Sequence, residues 1–339
     1  MKIRIATRKS TLARTQTRWV ADRLADSFPG IEVEEVLVMT AGDKVTDRPL
    51  QELGGKALFV NEVEQVLIRG EADFAVHSMK DIPGDTPLAE GMKILCVPKR
   101  EEPFDVLVTE EGSRFDSLPP GARVGTTSLR RSCQLKARRP DVSFSTLRGN
   151  VDTRLKKLHE GAYAAVVLAA AGLKRLGLYP SNSMWVIPPE LCLPAVGQGA
   201  LAIEGRADDE QLKALLDPLE DKKSRIETDA ERAMLRELEG NCRVPIAGFA
   251  RYDETASMLS LEGMVGSSDG TQILSAGSEV YLKGSDLRKE ARSLGEEVAR
   301  NLKARGASAL IQKAYVAAAE QRQSNGGGNR DPFKWIGYK

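Results

Sequence analysis

The chain has little of what metal and redox centres are made from: its 339 residues include two histidines, His77 and His159, and four cysteines. Cys96, Cys133, Cys192 and Cys242 lie far apart with no Cys-x-x-Cys pair, so neither a zinc site nor a disulfide framework finds support. No apolar run approaches the roughly 18 residues that span a bilayer, and no membrane association is expected. Net charge is missing too: 49 Lys and Arg stand against 48 Asp and Glu. That balance argues against a protein that grips nucleic acid by bulk positive charge. A soluble protein in a reducing, cytoplasmic setting is the expectation.

What is present is ordinary globular material, 41% hydrophobic and 29% charged. At about 100–200 residues per domain it suffices for two or three domains. Residues 3–6 and 33–39 read as strands, while 12–24 and 58–68 carry apolar residues at helical spacing, with Phe59, Val63, Val66 and Leu67 on one face. Residues 72–76 read as a buried strand that delivers His77, Ser78, Met79, Lys80 and Asp81 to a loop. Strand ends of that kind are where open α/β sheets bind ligands. A second set follows, with strands at 105–109, 122–125, 142–147 and 164–169 and helices near 128–137 and 151–159. This alternation predicts mostly parallel sheets. Cys96-Val97-Pro98 and the stretch from Pro188-Pro189 to Pro194 look like crossings between two domains that would enclose a cleft, the later chain returning to complete the first.

The texture changes near residue 218. Ser224 with Glu227 fits a capping box for a helix that runs to Gly240, a suitable C′ residue, and this sets Cys242 on a loop just past the helix. Residues 246–251, 258–265 and 272–281 read as an antiparallel meander covered by a helix at about 285–304. The expected domains are 1–96 with 197–216, then 97–196, then 217–318, with 319–339 a flexible tail carrying no assigned chemistry.

Charge is balanced overall but segregated locally. Residues 121–160 hold ten Lys or Arg against three Asp or Glu, a net of +7, so the remainder carries −6. The plain reading of Lys136, Arg138, Arg139, Lys156 and Lys157 is a solvated helix face. Arg130, Arg131 and Arg148 instead follow predicted strands, beside Gly125-Thr126-Thr127-Ser128 and Gly149-Asn150, where small residues and helix N-termini offer backbone N–H groups to anions. Arginine's planar fork suits carboxylate or phosphate. Phe144 is the only aromatic in that window, so stacking platforms for single strands are missing and a small polyanion fits better.

Other motifs fail. Gly54-Gly55-Lys56 has Leu50 and Ala57 where a phosphate loop needs Gly and Ser or Thr. Gly197-Gln198-Gly199 leads into a strand and not into the helix a dinucleotide site requires. Lys80-Asp81 reads equally as an exposed salt-bridging turn or as a carboxylate held ionised at the mouth of an arginine-rich cleft. Cys242 reads as a small buried hydrophobe as readily as a reactive thiol.

Taken in order, the segments Ile5-Ala6-Thr7-Arg8-Lys9-Ser10, Gly54-Gly55-Lys56-Ala57-Leu58-Phe59, Ala75-Val76-His77-Ser78-Met79-Lys80-Asp81, Val124-Gly125-Thr126-Thr127-Ser128-Leu129-Arg130-Arg131, Leu147-Arg148-Gly149-Asn150-Val151, Ala171-Gly172-Leu173-Lys174-Arg175, Leu193-Pro194-Ala195-Val196-Gly197-Gln198-Gly199-Ala200 and Glu239-Gly240-Asn241-Cys242-Arg243-Val244-Pro245 resemble the porphobilinogen deaminase family over roughly residues 3–315. The resemblance implies two periplasmic-binding-protein-like α/β domains flanking a cleft, plus a small α+β C-terminal domain. It implies a transferase of tetrapyrrole and haem biosynthesis that condenses four porphobilinogen molecules head to tail, releasing ammonia each time and finally hydroxymethylbilane. Each pyrrole brings an acetate and a propionate, which would give the basic window its purpose.

The resemblance further implies a dipyrromethane cofactor joined through a thioether to Cys242, and Asp81 as the catalytic carboxylate. It places Lys80, Ser128, Arg130, Arg131 and Gly172 at the cofactor, and Arg8, Ser10, Lys56, Phe59, Arg148, Arg154 and Arg175 at the substrate. No metal is implied. The enzyme would be a monomer whose product is used by uroporphyrinogen-III synthase. Two departures stand out. Asn241 replaces a frequent glycine, which Asn would tolerate if φ there were positive, and Gln51-Glu52 stands where some relatives carry lysine. The alternative is a non-catalytic polycarboxylate-binding protein with a two-domain cleft.

Overall fold

The computed structural model describes residues 1–40, 60–241 and 243–324, the side chains of 321–324 excepted. Lys56, Phe59, Cys242 and the departure at Gln51-Glu52 lie outside the described residues.

The first lobe begins with β1 (Lys2–Arg8), α1 (Thr11–Ser27), β2 (Glu32–Val38), α2 (Asn61–Ile68), β3 (Phe74–Ser78) and β4 (Met92–Cys96). The Ser10 hydroxyl accepts the Ala13 N–H at 3.3 Å and so starts α1. From there Val20 and Leu24 reach the sheet and pack with Ile3, Ile5 and Phe74. Val63, Val66 and Leu67 share the buried face of α2, as their spacing predicts.

The second lobe comprises β5 (Asp105–Val108), β6 (Arg123–Gly125), α3 (Leu129–Arg138), β7 (Ser143–Ser145), α4 (Val151–His159), β8 (Ala165–Ala169), α5 (Ala170–Arg175) and β9 (Met184–Ile187). Its strands are buried on both faces: Leu107 and Val167 look into one core, and Val106, Val108 and Val166 into the other. The chain then returns through β10 (Leu201–Arg206).

The strand orders are β2-β1-β3-β10-β4 and β7-β6-β8-β5-β9. β1 pairs in parallel with β2 and β3, and β6 with β7 and β8. β10 is antiparallel to β3 and β4, and β5 to β8 and β9. The expectation of mostly parallel sheets is therefore corrected at the level of pairing. In each sheet one strand runs against the other four, and it is the first strand reached after a crossing between lobes. The chain arriving from the other lobe enters the sheet from the opposite end.

After β10, α6 (Glu210–Leu216) packs back on the first sheet; the third lobe then contains α7 (Lys222–Glu237), the meander β11 (Ile246–Asp253), β12 (Met258–Gly266) and β13 (Ile273–Tyr281), and α8 (Leu287–Ala304) and α9 (Ala307–Ser324). Three local expectations change. Asp221 caps α7, accepting the Ser224 N–H at 2.7 Å, while the Ser224 hydroxyl accepts the backbone N–H of Arg100 at 2.7 Å. At the other end Glu239 takes the left-handed conformation, with φ 52°. The Glu239 and Gly240 N–H groups bond to the Arg236 and Leu235 carbonyls, closing the helix. Gly240 serves packing instead, since a Cβ there would lie 2.5 Å from Ile246 Cδ1 and 2.7 Å from Leu235 Cδ1. Lastly, α9 runs to Ser324, so a tail starting at residue 319 would begin inside a helix.

The lobes meet at α7. Glu231, fully buried, accepts from both guanidinium nitrogens of Arg100 at 2.7 and 3.2 Å, from the Gly197 N–H at 2.6 Å and from the Ala250 N–H at 2.9 Å. One carboxylate thus ties both inter-lobe crossings to the meander. Its burial is offset by an ion pair and four hydrogen bonds.

Candidate active site

β3 ends at Ser78, and a single 3-10 turn over Met79–Asp81 follows. Met79 is anchored in the core, which leaves Lys80 and Asp81 exposed. Gln16 Nε2 donates to Ser78 Oγ at 2.8 Å and fixes the turn against α1. Asp81 then lines a cavity of about 60 Å³ together with Arg8, Ser10, Gln16 and Ser78. Three of the expected site residues, Arg8, Ser10 and Asp81, are brought together here.

Lys80 is accessible to solvent yet ringed by protein, as on the wall of a cleft. Burial, and after it the charge of Arg131, lowers its ammonium to about 8. Lys80 Nζ donates to Gln198 Oε1 at 3.2 Å.

Arg130 and Arg131 occupy the first turn of α3, whose N-cap is Ser128; the Ser128 hydroxyl accepts the Arg131 N–H at 3.4 Å. Both guanidinium groups are buried and turn to Asp105. Arg130 Nη1 lies 2.7 Å from Oδ2, and Arg131 Nη2 and Nε lie 2.7 and 3.0 Å from Oδ1. Arg131 Nη1 also donates to the Val167 carbonyl, and Arg130 Nη1 to that of Leu193. Burial alone would raise the Asp105 carboxyl, but the two arginine charges overrule it and hold it well below the usual carboxylate range. The pair read from sequence as open anion ligands is therefore engaged within the protein. One carboxylate facing two cations still leaves a positive charge.

Arg148 and Arg154 differ. Arg154 Nε donates to the Gly149 carbonyl at 2.8 Å. Burial first, then the like charges of Arg131 and Arg148, lower its guanidinium to about 10. Arg148 Nη2 is buried and has no hydrogen-bond partner among the described residues. A buried donor left unmade is costly and marks a place for an acceptor. Arg175, at the end of α5, donates to the Gly199 carbonyl at 2.7 Å, and burial lowers it to about 10 against the opposing charge of Glu101. Gly172, on the same helix, faces α1: a Cβ there would touch only Leu12 Cδ2, at 3.6 Å.

Either side of Cys242, Asn241 Nδ2 donates to Asp85 Oδ2 at 2.6 Å, and Asn241 Oδ1 accepts the Arg243 N–H at 2.9 Å. Asn241 is not among the described residues with positive φ. The asparagine therefore contributes hydrogen bonds, and these tether the loop to the segment just after Asp81.

Gln198 enters the sequence reading in a failed dinucleotide motif and in one resemblance segment, with no role assigned. Its Nε2 donates to Asp105 Oδ1 at 2.9 Å and to the Pro103 carbonyl at 2.6 Å, its Oε1 accepts from Lys80, and its carbonyl accepts Arg100 Nε at 2.9 Å. Asp105, an acid opening a buried strand near a basic window, was the one available signal of this network. A cavity of about 1550 Å³ lies elsewhere, between the first crossing, the start of α7 and the meander, and none of these site residues line it. Charge, not cavity size, locates the chemistry.

A group bearing several carboxylates fits these residues. Arg148 has an unmade donor, and Lys80 and Arg154 are lowered first by burial and then by neighbouring arginines, a combination that a bound polyanion relieves. Two α/β lobes, an exposed carboxylate at a strand end and a surplus of cations define an enzyme for a polyanionic substrate. A family model described as porphobilinogen deaminase, dipyromethane cofactor binding domain, matches residues 3–214, and one for the C-terminal domain of porphobilinogen deaminase matches residues 225–304. The porphobilinogen deaminase of Brevibacillus brevis is 46% identical over 91% of this chain and 96% of its own length. That of Syntrophobacter fumaroxidans is 45% identical over 93% and 98%. Among solved structures, the methionine-binding protein MetQ aligns at 14% identity with a TM-score of 0.42, over 66% of this chain and 91% of that one. The chain belongs to the porphobilinogen deaminase family. Its activity is the transferase reaction that joins four porphobilinogen molecules into hydroxymethylbilane on a dipyrromethane cofactor, and the non-catalytic alternative gives way.

Proposed function

We propose that Asp81 is the catalytic carboxylate and that Lys80, Arg148 and Arg154, with Arg8, Ser10 and Arg175, receive the acetate and propionate groups of the cofactor and substrate. The observation that carries this reading is an exposed carboxylate in a basic cleft where a buried Arg148 nitrogen has no hydrogen-bond partner among the described residues and the Arg154 guanidinium is lowered by burial and by like charge. When bound through Cys242, dipyrromethane supplies the pyrrole carbon to which the next unit is joined. The arginines hold substrate by its carboxylates and leave its aminomethyl end free to face Asp81. A carboxylate oxygen of Asp81 accepts the pyrrole N–H, opposes the positive charge that develops as ammonia leaves, and carries the proton displaced from the ring carbon. Arg131 acts at the cofactor through its field, its three nitrogens being engaged by Asp105 and Val167, while Arg130, held through Nη1, adds its charge beside it. Ser128 and Gly172 line the cofactor side, the latter by leaving space. Lys56 and Phe59 are assigned to the substrate on resemblance alone.

Sheet membership supports a division into 1–96 with 197–216, 97–196 and 217–318. The same reading has a cytoplasmic monomer whose product passes to uroporphyrinogen-III synthase.

Asp81→Asn tests the central role. Turnover is expected to fall by about 10²–10⁴, while the variant keeps its cofactor mass and still binds a polycarboxylate. Unchanged turnover would remove Asp81 from the reaction.

A further inference from the structure

α9 begins at Ala307, beyond residue 304, where the match to the C-terminal family model ends. Ala307, Leu310, Ile311 and Ala314 are buried in the core of the third lobe, so the helix is held along one face and the placement of Tyr315 follows. The Tyr315 hydroxyl donates to the Glu239 carbonyl at 2.7 Å, and the Arg243 guanidinium lies over its ring, 5.3 Å from the centroid. Glu239 and Arg243 stand on opposite sides of Cys242. Glu239 is also the left-handed residue that ends α7, so the hydroxyl fastens the point where the chain leaves the helix. One side chain therefore grips both flanks of the cofactor loop, from a helix that neither family model includes.

We propose that Tyr315 is a positioning residue for cofactor attachment: by clamping Glu239 and Arg243 it sets the presentation of the Cys242 thiol. The inference rests on Cys242 being the attachment point. It extends that reading by giving α9 a part in loading the cofactor.

The test uses full-length apo-protein from a host that cannot make porphobilinogen. Alkylation by iodoacetamide is followed by intact mass and peptide mapping, and loading by the mass gained on adding porphobilinogen. Cys96, Cys133 and Cys192 are buried, and burial pushes the Cys133 and Cys192 thiols up to about 12, so the labelling reads Cys242. Tyr315→Phe keeps the ring under Arg243 and removes the hydrogen bond, Tyr315→Ala removes both, and Lys313→Ala changes an exposed residue of the same helix. Tyr315→Ala is expected to raise alkylation about tenfold and Tyr315→Phe about threefold, the scale on which one or two net contacts shift a local opening equilibrium. Cofactor loading is expected to slow in the same order, so the two rates move in opposite directions, while Lys313→Ala leaves both within about twofold.

Wild-type rates in both tyrosine variants, or equal effects from Lys313→Ala, would overturn the proposal. If Tyr315→Ala does not fold, the near-isosteric Tyr315→Phe decides alone. An adduct mapped to a residue other than Cys242 would overturn the attachment reading as well, and the peptide map tells that result from the others.

Discussion

Arg130 and Arg131 come from the same forty residues as Arg148 and Arg154, and both pairs follow short strands of one sheet. The first pair is buried against Asp105, with all three Arg131 nitrogens and Arg130 Nη1 engaged. The second has a buried nitrogen without a partner among the described residues and a guanidinium depressed by burial and like charge. What separates them is a single carboxylate, placed by β5 in the middle of the sheet. Charge counted along a chain says where cations gather. Whether those cations remain available to a ligand is decided by what the fold sets opposite them.

The comparison is broken most severely by removing that carboxylate. Asp105→Asn leaves two buried guanidinium groups without their counter-ion, and chemical denaturation is expected to show a loss of about 3–5 kcal/mol. A loss near zero would mean that Arg130 and Arg131 are neutralised by something else. The converse change sharpens it. Arg148→Ala is expected to stay within about 0.5 kcal/mol of wild-type stability, yet to weaken polycarboxylate binding about 10–100-fold, as losing a charge-assisted hydrogen bond does. If stability fell and binding held, the two arginine pairs would have exchanged roles.

The smallest effect is one of pH. In the empty cleft the Lys80 ammonium is lowered to about 8, and a bound carboxylate raises it again. Below that value the cation is already present. Above it, anion binding must take up a proton, so affinity falls with rising pH by up to about tenfold per unit. Calorimetric titration of apo-protein with a tricarboxylate from about pH 7 to 9.5 reads this slope, which Lys80→Met is expected to flatten. A flat wild-type profile would place Lys80 outside the anion site.

Much of the architecture was legible because it is local. The buried run ending at Ser78 announced the turn that presents Asp81, and the alternating stretches from 246 to 281 became β11, β12 and β13 in the expected order. Several of the misreadings involve partners distant in sequence. Ser224 had the spacing of a cap, but Arg100, more than a hundred residues earlier, takes its hydroxyl. Gly240 looked like a left-handed residue, but close packing by Ile246 and Leu235 explains it better, and Glu239 turns the chain. Strand direction was missed at β5 and β10 because nothing local records from which lobe a strand arrives. α9 escapes a sequence reading because half of its buried face is alanine, Ala307 and Ala314, which dilutes the helical pattern that Leu310 and Ile311 carry. In the site, Asp81 and the basic window could be read directly. Gln198, which joins Lys80 to Asp105, could not, because a buried amide has no sequence signature of the network it completes.

The surplus charge of Lys80, Arg148 and Arg154 has a purpose only if a polyanion tied to Cys242 lies among them. The intact mass of protein purified from a haem-competent host measures this directly. The expected mass exceeds that of the bare chain by one two-pyrrole group, and Cys242→Ser protein lacks the increment. A wild-type mass equal to that of the bare chain, or an increment that survives in Cys242→Ser, would contradict it.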